Sequence, residues 1–245
     1  MTTIKGTEGT VVKEEPKYRS IIIDTLNQLM NDHHTKLMRD KERGATYDEW
    51  RDFGVELLDM YDWIKSLPNV VPIQILGYEA TGKTVGGSFL NPDETAWLNV
   101  DKKPLTFANA RQMYPVDNSK KNYAVVTGYE DIKERIKKIA TKAKSPLIIF
   151  ILGHIEDYKA KDGKTRQRLK VRCKMATKYN IEGALSHTYY TDVDETKKGN
   201  DPKRYRLRTV SQNDTARSPM GMWDSEFIPN NYQLIVNKIL EEYSN

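Results

Sequence analysis

Val71-Pro72-Ile73-Gln74-Ile75-Leu76 runs directly into Gly77-Tyr78-Glu79-Ala80-Thr81-Gly82-Lys83-Thr84, and this join decides how the chain is read. The first six residues form an apolar run of strand length. The next eight fit G-x-x-x-x-G-K-[ST], a loop whose successive backbone N–H groups surround phosphates. In such a loop Lys83 reaches the β- and γ-phosphates and the Thr84 hydroxyl binds Mg²⁺, while glycine lets the backbone come close where a Cβ would clash. The small-residue stretch Val85-Gly86-Gly87-Ser88-Phe89-Leu90 follows, giving strand, loop and expected helix in the required order. The expected nucleotide contacts are therefore Gly77, Tyr78, Glu79, Ala80, Thr81, Gly82, Lys83, Thr84 and Val85, with ATP and Mg²⁺ as the expected ligands.

The same pattern recurs on either side. Tyr18-Arg19-Ser20-Ile21-Ile22-Ile23-Asp24 is a β-branched run ending in a carboxylate, Ala96-Trp97-Leu98-Asn99-Val100-Asp101 ends in another, and Ser145-Pro146-Leu147-Ile148-Ile149-Phe150-Ile151-Leu152-Gly153-His154 ends in a histidine. Helices are expected through Leu26, Leu29 and Met30, and through Trp50, Phe53, Leu57, Leu58, Tyr61, Ile64 and Leu67 up to Pro68. Two more are expected over residues 129–143, with Ile132, Ile136 and Ile139 on one face, and from Asn231 to Tyr243. The polar stretch 31–46 reads as a loop between the first two. Strands alternating with helices predict an α/β fold with a mainly parallel sheet and a ligand at the carboxyl ends of its strands.

Hydrolysis of a triphosphate needs a cradle, a metal, an acid near its water ligands, a group that orients the attacking water, and a cation for the developing charge. Asp24 is the candidate Mg²⁺ support, with the capping of the following helix as its other reading. Asp101 is the candidate for orienting water, or else a turn carboxylate beside Lys102 and Lys103. His154 is the candidate γ-phosphate sensor, or else a structural histidine. Arg217 could act in trans across a subunit contact, although a solvated arginine is the plainer reading among Arg204, Arg206 and Arg208. His33-His34 and His187 form no metal-ligand spacing with the single Cys173, so a zinc site is not expected.

The chain has 245 residues, 30% of them charged, with a formal charge of +5 and a pI near 9.0. That excess is modest, so its distribution matters more than its size. Arg166, Arg168, Lys170, Arg172 and Lys174 occupy every second position, with Leu169, Val171, Cys173 and Met175 between them, after Lys159, Lys161 and Lys164 in a turn-forming stretch. Such a strand carries one basic and one apolar face. It reads either as a protected edge or as a phosphate-backbone surface within a basic segment over 156–178. Lys36, Arg39, Lys41 and Arg43 could add to that surface, and Tyr47 and Tyr158 could stack on bases. Residues 1–17 read as a flexible arm or a short hairpin, and 18–245 as one domain. No apolar run approaches the roughly 18 residues of a membrane span, and one cysteine leaves no intrachain disulfide, so a cytoplasmic location is expected.

With these residues in place, the chain resembles the RecA-like recombinase ATPases, and more closely the phage single-strand annealing ATPases of the Sak type. The Gly-x-Glu-x-x-Gly-Lys-Thr form of Gly77 to Thr84 carries the resemblance, which implies catalytic roles for Lys83, Asp101 and His154 and a magnesium role for Asp24 and Thr84. It further implies single-stranded DNA as partner, a homo-oligomeric ring or filament, contact with a single-strand-binding protein, and the host cytoplasm if the chain is phage-encoded. The order departs from the family, in which the phosphate loop precedes the magnesium strand; here Asp24 precedes Gly77. In that class the sensor strand lies between the other two, so the resemblance implies a RecA-like sheet with permuted connections, completed by C-terminal hairpins and a helix. A nucleotide-dependent assembly module without turnover and a small-molecule kinase are the alternatives.

Overall fold

The computed structural model describes residues 4–6, 9–11, 17–39, 46–171, 182–199, 201–211 and 215–244. Within the stretch read as an arm, β1 (Ile4–Gly6) and β2 (Gly9–Val11) pair antiparallel as a separate hairpin. The other strands are β3 (Tyr18–Asp24), β4 (Val70–Gly77), β5 (Thr95–Asn99), β6 (Tyr123–Val125), β7 (Ala143–Lys159), β8 (Thr165–Leu169), β9 (His187–Val193), β10 (Tyr205–Arg208) and β11 (Phe227–Pro229). They form one sheet in the order β11-β10-β9-β4-β7-β3-β5-β6, with β8 paired to β7. From β9 to β6 every pair is parallel; β8, β10 and β11 join antiparallel. The expected α/β fold with a mostly parallel sheet is thus observed.

Strand alternation divides the core in two. Ile21, Ile23, Leu98, Ile149 and Ile151 face a layer made by α1 (Leu26–Met38), α2 (Tyr47–Ser66) and α5 (Tyr129–Ala140). Ile22, Trp97, Ile148, Phe150 and Leu152 face the other way, against α6 (Tyr232–Tyr243) and Tyr114 at the end of the short α4 (Ala110–Met113). Strands covered on both faces read as unbroken apolar runs. Each of the fully buried isoleucines of β3 contributes about 1.5–3 kcal/mol relative to exposure.

Several elements differ from the sequence expectation. The polar stretch after Met30 does not break the helix: α1 continues to Met38, anchored by the buried Leu26, Leu29 and Met30. Helix α2 starts at a capping box, in which Thr46 and Glu49 satisfy each other's backbone N–H groups. After the glycine-rich loop the helix is short, with α3 spanning only Lys83–Gly86 before a 3-10 turn over Gly87–Phe89. Two successive glycines and a serine weaken any longer helix. Strand β7 does not stop at His154. Its parallel pairing with β4 ends there, Gly77 opposite His154, and antiparallel pairing with β8 begins at Ile155 opposite Leu169.

Candidate functional site

The parallel register places the ends of β3, β4 and β5 and the midpoint of β7 along one edge. Asp24 lies opposite Asn99, and Gly77 lies opposite His154. Asp24, Lys83, Thr84, Asp101 and His154 converge there on a cavity of about 530 Å³, which Glu79, Val85, Lys103, Leu105 and Tyr205 also line.

Loop geometry follows from its glycines and from its neighbours. Gly82 has φ +86°, a left-handed conformation that L side chains rarely adopt, and a Cβ there would lie 2.9 Å from the Tyr205 ring. Thr81 Oγ1 donates to Tyr78 O at 2.7 Å and sits 2.6 Å from Thr191 Oγ1, tying the loop to β9. Lys83 turns back into the loop: its Nζ donates to Gly77 O at 2.9 Å and Tyr78 O at 2.6 Å and lies 3.2 Å from His154 Nδ1. Thr84 Oγ1 donates to Asp24 Oδ2 at 3.3 Å. Four of the sequence-selected residues therefore meet, Asp24 from β3, His154 from β7, and Lys83 and Thr84 from α3 behind the loop that follows β4. Asp101 stands just beyond the end of β5, its N–H donating to Asp24 O at 3.3 Å and its carboxylate paired with Lys103 at 3.0 Å.

Electrostatics follow from burial. Loss of water pushes the Asp24 carboxyl up to about 6, against the opposing Thr84 hydrogen bond. Burial likewise pushes the Lys83 ammonium down to about 8, although Asp24 and Glu79 oppose it. His154 is held down to about 4 by burial and then by the Lys83 charge, so at neutral pH its ring is uncharged and Nδ1 is free to accept from Lys83. Gly77 O, Tyr78 O and the His154 ring thus surround the three donors of the Lys83 ammonium. No cluster of three or more His, Cys, Asp or Glu residues forms a metal cage among the described residues. Thr84 and Asp24 are the groups that fit Mg²⁺, which keeps several waters and takes few protein ligands when phosphates supply the rest.

Three supporting residues carry no motif in the sequence. Asn230 Nδ2 donates to Gly82 O at 2.7 Å, and the Tyr232 hydroxyl donates to Lys83 O, so the start of α6 braces the loop. Tyr232 is itself stacked on Phe150 at 4.8 Å. Asn27 in α1 accepts from His154 N at 2.5 Å and donates to Lys170 O at 2.6 Å.

The basic segment starts at this same edge. Beyond His154, β7 and β8 form a hairpin closed by a turn at Gly163, with Lys159, Lys161 and Lys164 exposed at its tip. Arg166 pairs with Asp162 at 2.6 Å, and Arg168 pairs with Glu156 at 2.8 Å over the Tyr158 ring. Two cations of the row are thus matched by carboxylates of the hairpin. Lys170 is exposed and lines a smaller cavity of about 220 Å³, shared with Glu79, Asp101 and His154. Arg172 and Lys174, with Lys41 and Arg43, lie outside the described residues. Arg217 is not brought to the cleft. Its backbone bridges to Thr188 of β9, at the level of Gln74 in β4.

Tyr78, in the Gly77–Thr84 loop, also reaches the hairpin, donating from its hydroxyl to Asp157 and accepting from Gln167 Nε2 at 3.2 Å. No family model, curated protein or solved structure matches this chain.

Proposed function

We propose that the chain binds ATP and Mg²⁺ at the Gly77–Thr84 loop and hydrolyses the nucleotide, as a RecA-like ATPase acting on single-stranded DNA. The observation that carries this reading is the convergence of Lys83 and Thr84 with His154 and Asp24 at one sheet edge. The order β4-β7-β3 supports it, because the sensor candidate lies between the phosphate-loop and magnesium strands despite the changed chain order. In this reading Lys83 leaves the Gly77 and Tyr78 carbonyls for the β- and γ-phosphates, and Thr84 and Asp24 hold Mg²⁺ directly and through water. Asp101 orients the attacking water, His154 faces the γ-phosphate, and Tyr205 offers a face to the nucleoside. The basic hairpin, clasped to the loop through Tyr78, supplies a DNA contact.

Titration calorimetry with ATP and Mg²⁺, together with phosphate release, tests this. Lys83→Ala is expected to abolish binding, and Asp101→Asn to retain binding while cutting turnover by 10²-fold or more. A wild type that binds no nucleotide at millimolar ATP would sink the reading. A second reading, an assembly switch without significant turnover, is favoured by the pairing of Asp101 with Lys103. It predicts ATP binding without phosphate release in the wild type.

A further inference from the structure

A cleft of about 940 Å³ opens at the other edge of the sheet, between the C-terminal end of α5 and the amino-terminal ends of β3, β5 and β6. Its floor is apolar, made by Ala96, Leu98, Ala124 and Ile139. Its rim is basic: Lys17, Lys121, Arg135, Lys138 and Lys142 stand against Asp93 and Glu94, five cations to two carboxylates. Arg135 and Lys138 pair with Asp131 at 2.7 Å and Glu134 at 3.6 Å, but both are one-turn surface pairs. Such pairs are worth little and do not withhold the cations from a polyanion.

The rim is also held in shape. Lys17 Nζ donates to Lys120 O at 2.9 Å, and the Tyr18 hydroxyl donates to Lys121 O at 2.5 Å, so the turn before β6 is fastened to the start of β3. Lys121 itself has φ +57°. At the cleft wall, Asn122 commits Nδ2 to Pro92 O and Met113 O, while its Oδ1 is buried without a partner among the described residues.

From this geometry we infer that the amino-terminal cleft is a binding site for single-stranded nucleic acid, separate from both the nucleotide loop and the hairpin. A single phosphate engages one or two cations, whereas five spread around a cleft of this volume suit consecutive phosphates of a strand. The apolar floor offers unstacked bases a surface that a duplex cannot use, bordered by the edge of the Tyr18 ring, whose face lies under Lys17. The inference does not rest on nucleotide binding at Lys83.

Fluorescence anisotropy of a labelled oligothymidylate, measured across a salt series on the full chain, tests it. The triple variant Lys121→Glu, Lys138→Glu, Lys142→Glu is expected to weaken binding at least tenfold at about 0.1 M salt. Three lost phosphate contacts also flatten the slope of log K against log salt by about 2, and ATP affinity is expected to be unchanged. Wild-type affinity and slope in this variant overturn the inference, as does absence of oligonucleotide binding by the wild type at low salt. Displacement of the oligonucleotide by an equal concentration of thymidine monophosphate overturns it in favour of a single-phosphate pocket. In parallel, Lys159→Glu, Lys161→Glu, Lys164→Glu reads the hairpin alone: a loss confined to that variant moves the strand to the hairpin and overturns the cleft.

Discussion

Asp24 and His154 sit within one site but answer pH in opposite senses. Asp24 is an acid whose folded pKa, about 6, lies above its ordinary 3.8. Its contribution favours folding at low pH and is lost as the pH rises through that window. Above pH 6 the buried carboxylate opposes folding by about 2–3 kcal/mol. Asp24→Asn is therefore expected to raise the melting temperature of the nucleotide-free protein at pH 8, with the gain shrinking toward pH 4, while Mg²⁺-dependent ATP affinity falls. Thermal denaturation at pH 4, 6 and 8 checks the first part, and ATP titration with and without Mg²⁺ the second. A lower melting temperature at pH 8 would instead make the carboxylate a net stabiliser through Thr84. His154 is a base held below its ordinary 6.5, down to about 4, so its contribution is present above 6.5 and is lost as the pH falls toward 4. Triphosphate oxygens beside it favour the imidazolium, so its pKa is expected to rise when MgATP binds. Imidazole proton shifts followed through a pH titration would show this, and an unmoved pKa would place the phosphates away from His154.

Helix α3 shows how much of the site depends on elements far apart in the chain. A Cβ on Gly86 would lie 2.3 Å from Tyr232 Cε1 and 2.4 Å from Asn230 Oδ1, and the Tyr232 ring has no room to retreat because it stacks on Phe150. Gly86→Ala is expected to cost about 1–3 kcal/mol by overpacking, read in urea denaturation, and to weaken ATP binding because Tyr232 and Asn230 hold the carbonyls of Lys83 and Gly82. Tyr232→Phe separates the two effects, since it keeps the packing and removes only the hydroxyl, at about 1–2 kcal/mol for an unsatisfied buried acceptor. If Gly86→Ala binds ATP as the wild type does, the brace from α6 has no bearing on the loop. None of this brace was legible in the sequence, where neither Asn230 nor Tyr232 belongs to a motif. What was legible were the strands buried on both faces, because Ile21 to Ile23 and Leu147 to Leu152 have no polar face to blur the pattern, and the carboxylates or histidine at their ends. In the sequence His154 reads as a strand terminus because its polarity ends an apolar run. Hairpin pairing with β8, across the turn at Gly163, is what carries the strand onward.

At the scale of the whole molecule the site joins segments whose order in the chain differs from their order in the sheet. Strand β3 comes first in the main sheet, β4 only after two helices, and β7 later still to fill the gap between them. Register at this edge is fixed by burial, since a one-residue slip of β3 would exchange Ile21 and Ile23 with Ile22 between two separate cores. A ligand spanning Lys83, Thr84, Asp24 and His154 therefore bridges β3, β4 and β7, and through Tyr232 it is coupled to α6 as well. Binding at such a junction stabilises the global fold by mass action, because an unfolded chain cannot assemble the site. At a hundredfold excess of MgATP over its Kd, the gain is about 2.7 kcal/mol, a rise of about 5–10 °C in melting temperature for a chain of this size. Lys83→Ala is expected to abolish that rise, and Tyr232→Phe to reduce it. Differential scanning fluorimetry over a series of MgATP concentrations provides the measurement. If millimolar MgATP leaves the wild-type melting temperature where it was, the Gly77–Thr84 loop is a structural turn and the bridge across the three strands does not exist.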